Sequence, residues 1–521
     1  MKYEITRPRK AGSLASSAAV IVFIAALGLY LRTLAPTITW VHNGTDGGEL
    51  TAAAATLGVA HPPGYPTYVL LGYLFAQLPI GNVAYRLNVM SAVCMALAAA
   101  LTTLSIFQTT APSAPFLPRF TRSSIAIIGG LVFAAAPMAW GQATIAEVHA
   151  LNALFVAALI YLLAPTFFRN EAIATGRFAG ALFLWGLGLG NLLTLAALAP
   201  VMLIVGRRWA VGNRQLALSN TCTALPRRVQ CRCLQLVIAF LLGLSVYWLI
   251  PIRAATHPPV NWGNAINAPN FIAQVTAEMY RGYVFAVPLD HYPQRLIAFA
   301  QLLVAQFGWP GVFVGAIGLQ RALIGPNKNW RRLAWPIGLY TLFALSYNTI
   351  DSDLYLIPVW LFGAWAVAGG SLRLIHWISG RLASAGILLL LLILSPIWIV
   401  VTQFNAMDLS ADRTAEDFAR TALAAAPDNA ILITSNDSQT FSLWYYHMVE
   451  RQRRDITILD ARLAGYDWYA SAVIDLDHAP NMPPFDPATT WRVRLAAVNP
   501  TRPICEIDPG TQKITCLSNA L

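Results

Sequence analysis

The chain has 521 residues, of which 57% are hydrophobic and 11% charged, with a formal net charge of +11 and a mean hydropathy of +0.55. Ordinary soluble domains carry roughly 25% charged residues, so this composition excludes a soluble globular protein and indicates a polytopic membrane protein. The basic excess needs no nucleic-acid partner, because more than half of the Lys and Arg residues fall at the N-terminus or in short loops between apolar stretches, where topology and anionic headgroups account for them.

Lys2, Arg7, Arg9 and Lys10 precede the first apolar run, 14–31. That run is long and has no convincing small-residue cleavage site, so it reads as a retained signal anchor. A crossing helix needs about 20 mostly apolar residues. Further stretches lie at 87–107, 123–140, 150–165, 178–205, 234–250, 296–320, 333–348, 354–372 and 382–403. The centre of 178–205, Gly186 to Asn191, reads as a break between two short helices, which brings the expectation to about eleven crossings. The apolar segment 67–80 is left out of this count, since as a span it would export the most basic later loops. A surface helix over 65–80 is expected instead.

With the N-terminus inside, the inner loops hold Arg119 and Arg122, Arg169 and Arg177, the Arg207–Arg232 cluster, Arg321, Lys328, Arg331 and Arg332, and Arg373 and Arg381. Between residues 5 and 407 the acids are Asp46, Glu49, Glu147, Glu171, Glu278, Asp290, Asp351 and Asp353. All except Glu171 fall on the outer side in this topology. Acids count little toward orientation, so their crowding on one face marks that face as the working one.

From about residue 404 the apolar runs shorten. Asn429–Thr434 reads as a buried strand, Ser438–Arg451 as a helix and Asp455–Asp460 as a second strand, the order of a small α/β domain. The expected fold is therefore an α-helical polytopic membrane unit (1–403, with an outer loop 32–84), N-in and C-out, followed by a small extracytoplasmic α/β domain (404–521). Cys94 falls in a span, and Cys222, Cys231 and Cys233 lack zinc-site spacing. Cys505 and Cys516, on the outer side, either pair or stay free.

The order of motifs is specific: Asp46-Gly47-Gly48-Glu49 in the first outer loop, His61-Pro62-Pro63-Gly64-Tyr65-Pro66, a surface helix, and Tyr85-Arg86-Leu87-Asn88 opening the next span. With Glu147-Val148-His149, Pro251-Ile252-Arg253, Asn261-Trp262-Gly263, Asp351-Ser352-Asp353-Leu354-Tyr355 and Asn436-Asp437-Ser438, the chain resembles GT-C-type glycosyltransferases. More closely, it resembles the bacterial membrane family related to the transmembrane protein 260 type of protein O-mannosyltransferase. The resemblance implies transfer of a sugar, mannose by analogy, from a polyprenyl-phosphate donor to a protein, lipid or glycan hydroxyl outside the membrane.

Such a reaction needs a base for the acceptor hydroxyl and a counter-charge for the leaving phosphate. Asp46 holds the first-loop acidic position of the family and is the candidate base, with Glu49 and Glu147 as supporting acids. Arg253, His257 and Arg281 are candidates for the donor phosphate, and Asp353 and Tyr355 for the lipid carrier. His61, Tyr65, His149, Asn261, Trp262 and Asn264 are candidate lining residues. Each has a structural alternative: Asp46 as a helix N-cap, Glu49 as the partner in a capping box, Arg253 as an interfacial anchor, and His61 as a turn residue.

No metal or other cofactor is expected, the alternative being a divalent ion on Asp46, Glu49 and Glu147. The rival functions are an oligosaccharide ligase using a diphosphate-linked donor and a lipid or solute transporter. A transporter would place polar groups at the bilayer midplane in paired halves, and neither feature is present in the sequence. The expected location is the bacterial plasma membrane with the site facing outward, or the endoplasmic reticulum in a eukaryote.

Overall fold

The structure, a computed structural model, describes residues 9–113, 118–169, 171–219, 225–324, 330–378, 382–474, 479–484 and 490–517. Lys2, Arg7, Lys328, Arg381 and Cys222, and part of the Pro-rich patch 480–487, lie outside the described residues. The chain opens with α1 (Arg9–Arg32), α2 (Gly47–Thr56), α3 (Pro66–Ala76), α4 (Val83–Ser113), α5 (Arg119–Ala135) and α6 (Pro137–Ala143). It continues through α7 (Val148–Arg169), α8 (Thr175–Leu189), α9 (Ala199–Ser219), α10 (Leu225–Leu244), α11 (Leu249–Ala254) and α12 (Ala268–Val275). The last helices before the C-terminal region are α13 (Tyr292–Ile324), α14 (Ala334–Ser346), α15 (Ile357–Ile378) and α16 (Leu382–Met407).

Every predicted apolar stretch is a helix, but they differ in reach. Among the described residues eight helices are long and apolar enough to cross a membrane, or nine if α5 and α6, bent by 67° at Ala136, form one span. The two further stretches counted as crossings are α8 and α14, of 15 and 13 residues, shorter than the hydrocarbon thickness requires. The break expected inside 178–205 is present: α8 ends at Leu189, and Asn191, fully buried, donates through Nδ2 to Val148 O (3.1 Å). Leu234, Val237, Ile238, Leu241 and Leu242 of α10 point outward, as a lipid-facing helix requires.

The segment withheld from the count is α3, only 11 residues long. It buries Tyr68, Val69 and Gly72 and exposes Leu70 and Leu74. Its position is pinned by the Tyr85–Asn88 motif. Arg86 donates to the carbonyls of Ala76, Ile80 and Gly81, and Asn88 Nδ2 donates to those of Ala35 and Thr37.

After Met407 come α17 (Thr414–Ala425) and α18 (Asp437–Trp444), with strands β1 (Ile431–Thr434), β2 (Thr457–Asp460), β3 (Ile504–Ile507) and β4 (Ile514–Cys516). The predicted strand, helix and strand are there. The sheet order is β2-β1-β3-β4, parallel except for β4. The final pair was not predicted, because β3 and β4 are short and only their pairing makes them strands. A disulfide joins Cys505 to Cys516 across that pair. If this domain faces an oxidising compartment, tryptic digestion of the unreduced protein will yield a cross-linked peptide pair, separated at Lys513 and released by reductant; free thiols at both positions would place the domain on the reducing side.

This domain is tied to the first loop. Trp40 Nε1 donates to Ser442 Oγ (2.9 Å), Thr39 hydrogen-bonds Asp412, and the Thr37 and Tyr446 hydroxyls meet at 3.1 Å. The closest approach is at Gly48, where any Cβ would lie 2.3 Å from the carbonyl oxygen of Phe441. Only glycine lets α18 sit directly on the start of α2.

Candidate active site

The backbone before Asp46 is unusual. Val41–Asp46 forms a short tight helix in which His42 and Asn43 have φ of 58° and 61°, a conformation uncommon outside glycine and costly unless the surroundings impose it. Asp46 is then the N-cap of α2, yet its side chain makes no capping hydrogen bond. Glu49 does not complete a capping box either. It is 0% exposed, and its two oxygens take the His61 backbone N–H (2.9 Å) and the His61 ring at Nδ1 (3.0 Å). The His-Pro-Pro-Gly-Tyr-Pro motif supplies the turn: Gly64 N–H donates to His61 O (2.8 Å), and Gly64 has φ +91°, a region favouring glycine.

The other ring nitrogen, His61 Nε2, lies 3.7 Å from Asp46 Oδ2. Tyr65, Trp262 and Tyr280 surround the imidazole edge-on at ring distances of 5.0, 6.0 and 6.3 Å. Burial lowers the tendency of the His61 ring to hold a proton, but the charges of Glu49 and then Asp46 outweigh it and push the pKa up to about 9. His61 is therefore an imidazolium at neutral pH. Asp46 has a side chain 39% exposed, facing a deep cleft rather than open solvent. Desolvation there raises its carboxyl to about 6, against the pull of His61 and with help from Asp437, Glu49 and Asp351.

Asp46 and His61 open into a cavity of about 1400 Å³, above the roughly 300–1,000 Å³ of ordinary small-molecule sites. Glu147 lines it too. It is 5% exposed, its Oε2 accepts only from Val148 N–H (3.3 Å), and its Oε1 has no hydrogen-bond partner. Burial, then the nearby Asp46 charge, raise its carboxyl well above the ordinary range despite His61 and the Val148 N–H, which favours the neutral acid. Tyr65, His149, Trp262, Arg281, Asp353 and Tyr355 also line the cavity, and His149 meets Tyr355 edge-on at 5.4 Å.

Other expected site residues are employed elsewhere. Arg253 does not line the cavity; its Nε and Nη2 donate to the carbonyls of Leu57 (2.7 Å) and Thr56 (3.2 Å). It thereby closes the C-terminal end of α2, where orphan carbonyls and the helix dipole attract a cation. Asn261 and Asn264 bond each other at 3.4 Å and shape the turn that presents Trp262, where Val59 N–H donates to Val260 O (2.8 Å) and Trp262 N–H donates to Val59 O (3.1 Å). His257 and Glu49 are likewise not among the cavity-lining residues. Asp46, Glu49 and Glu147 do not converge as a ligand set, and among the described residues no three His, Cys, Asp or Glu side chains are grouped to hold a metal ion.

Arg295 had no place in the sequence expectation, yet it lines the cavity together with Arg281. Both hold neutral oxygens: Arg281 donates to Thr276 Oγ1 (2.7 Å), and Arg295 to Tyr347 O (2.9 Å), Ser352 Oγ (3.1 Å) and Asn348 Oδ1 (3.4 Å). Their positive charge is thus left for an anion. Beyond Arg295 the wall turns apolar, with Ala298, Phe299 and Leu302 of α13 facing Leu339, Leu342 and Phe343 of α14. At 1.5 Å per residue, Arg295 to Leu302 covers about 10 Å along α13. Asp437, Asp351 and Tyr280 complete the polar end; only the motifs around Asp437 and Asp351 gave a sequence signal for them.

Residues 46–211 match the family described as the protein O-mannosyl-transferase TMEM260 N-terminal domain, and residues 415–482 the TMEM260-associated domain 2. The chain is 25% identical over 505 residues to the protein O-mannosyl-transferase tmem260 of Dictyostelium discoideum, covering 86% of this chain and 58% of that one. It is 26% identical over 484 residues to the Mus musculus protein of that name, covering 89% and 65%. The chain thus spans about three fifths of the length of these relatives. Among solved structures it is similar to ArnT from Cupriavidus metallidurans bound to undecaprenyl phosphate, with TM-score 0.51, 12% identity and 90% and 96% of the two chains covered. It is also similar to the Archaeoglobus fulgidus oligosaccharyltransferase in complex with Zn and sulfate, with TM-score 0.50, 13% identity and 94% and 67% covered. The resemblance to the transmembrane protein 260 type holds, and the fold is that of the GT-C glycosyltransferases.

Proposed function

We propose that this relative of the transmembrane protein 260 O-mannosyl-transferases moves a single sugar, mannose by the relatives' names, from a polyprenyl-phosphate donor to a polypeptide hydroxyl on the extracytoplasmic face. The observation that carries the reading is Asp46: an uncapped carboxyl raised to about 6, beside an imidazolium, in a cavity that is acidic at one end and apolar at the other. The polyprenyl tail lies along the α13–α14 wall and the phosphate meets Arg281 and Arg295, which take the role first given to Arg253. Asp46 removes the acceptor hydroxyl proton as the acceptor oxygen bonds to the sugar C1. The C1–O bond to phosphate breaks, and the electron pair leaves on the polyprenyl phosphate. Burial favours the neutral acid form of Glu147, in which it donates a hydrogen bond without adding charge. The chemistry in this reading requires no metal ion.

Membranes containing the protein are given radiolabelled polyprenyl-phosphate monosaccharides and a Ser/Thr peptide, with and without EDTA. Label passes to the peptide at the same rate in both. Transfer only from a diphosphate-linked oligosaccharide would make the protein a ligase, and loss in EDTA with recovery on Mg²⁺ or Mn²⁺ would overturn metal independence.

A further inference from the structure

The transfer cavity is not made by the membrane helices alone. Asp437 and Phe441 of α18 form part of its wall, and the Phe441 carbonyl rests against Gly48, two residues from Asp46. Asp437 stands just beyond the carboxyl end of β1, and Arg462 just beyond that of β2. The carboxyl ends of neighbouring parallel strands are where open α/β sheets bind ligands, and here that edge faces the catalytic cavity.

Asp437 is held rather than loose. Its Oδ1 takes a hydrogen bond from Arg462 Nη2 (2.6 Å), and Arg462 is fixed in turn by Asp460 through contacts of 2.6 and 3.1 Å. Asp460 is fully buried and also accepts from Thr440 Oγ1 (2.8 Å). Two carboxylates on one guanidinium leave the trio with a net charge of −1. Asp437 remains 46% exposed. Trp262 lines the same cavity, its ring 6.3 Å from Phe441 and 6.0 Å from His61. Trp262 is 4% exposed, and its indole Nε1 has no hydrogen-bond partner. A buried donor left unpaired is costly, and this one belongs to a residue of the cavity wall.

We infer that Trp262 and Asp437 form an acceptor subsite for an extended polypeptide segment with neutral or basic flanks. The Trp262 indole N–H takes a peptide carbonyl, Asp437 takes a backbone N–H or a flanking Lys or Arg, and the hydroxyl to be modified falls at Asp46. This deepens the transfer reading and rests on it for the role of Asp46. Asp351 and Asp353, which also line the cavity, work in the same direction, since an acceptor with carboxylates or phosphates near its hydroxyl would be repelled on entry. The two guanidiniums that would welcome an anion sit at the donor end.

The test is binding of fluorescently labelled Ser/Thr peptides, flanked by Lys, Gln or Glu, to the full chain in lipid nanodiscs, followed by anisotropy, with sugar transfer measured on the same samples. The intact protein binds the Lys-flanked peptide about tenfold more tightly than the Glu-flanked one. Asp437→Asn brings that ratio to within about threefold while its melting temperature stays close to that of the intact chain. Asp437→Glu restores the preference, which a merely structural role would not require. The inference is overturned by equal affinities in the intact protein, by an unchanged ratio in Asp437→Asn, or by no binding of any peptide. A Lys preference that depends on Asp437, without transfer from any polyprenyl-phosphate sugar, upholds the subsite and removes the donor reading instead.

Discussion

Asp46→Asn reduces sugar transfer about 10³-fold, the middle of the range for a positioned general base, and leaves the protein folded. Asparagine matches aspartate in shape and is an equally good N-cap residue, and the Asp46 carboxylate makes no capping bond for the substitution to break. Ionising Asp46 is disfavoured in the folded chain because its carboxyl is raised to about 6. Removing that charge therefore costs no stability at pH 7, where the group is otherwise ionised against the preference of its surroundings. The rate constant is read from labelled donor at matched amounts of folded protein. In the intact chain it falls as pH drops through about 6 and the carboxylate takes up its proton. A variant as fast as the intact chain would eliminate Asp46 as the base.

Glu49→Gln acts through His61 and carries the second large effect. Glu49 is a fully buried carboxylate with two hydrogen bonds to one histidine, and breaking a buried charge pair costs about 3–5 kcal/mol. The folded pKa of His61 is raised, to about 9 against an ordinary 6.5. The stabilisation linked to its proton is fully present below the ordinary value and disappears as pH climbs through about 9. Melting temperatures measured across that window fall with rising pH in the intact chain and flatten in Glu49→Gln. The same substitution withdraws the positive charge beside Asp46, so the acidic limb of the transfer profile moves to higher pH. Identical pH slopes in the two proteins would show that His61 carries no extra proton.

The two substitutions separate functions that the Asp-x-x-Glu spacing suggested were shared. Three residues apart on one helix, two acids would face the same way. Because α2 begins at Gly47, Asp46 stays outside it and reaches the cavity while Glu49 turns inward to His61. Arg253 and Arg295 make the same point. Both follow or begin an apolar helix near the outer loops, and sequence offers no reason to prefer one for an anion. Folding commits Arg253 to the carbonyls of Leu57 and Thr56 and leaves Arg295 on the cavity wall.

In the sequence Asp437 is only part of the Asn436-Asp437-Ser438 motif, since 391 residues separate it from Asp46 and no local pattern encodes their meeting. The membrane class, the helical identity of each apolar stretch and the small α/β domain at the end of the chain were legible from the sequence alone. Those features depend on apolar run length, charge asymmetry and turn chemistry, which are local properties of sequence. Which acid opens onto the cavity, which arginine lines it and which domain closes it were decided only by tertiary structure. Each of these depends on which hydrogen-bonding groups the packed chain has already satisfied, and which it leaves open toward a shared space.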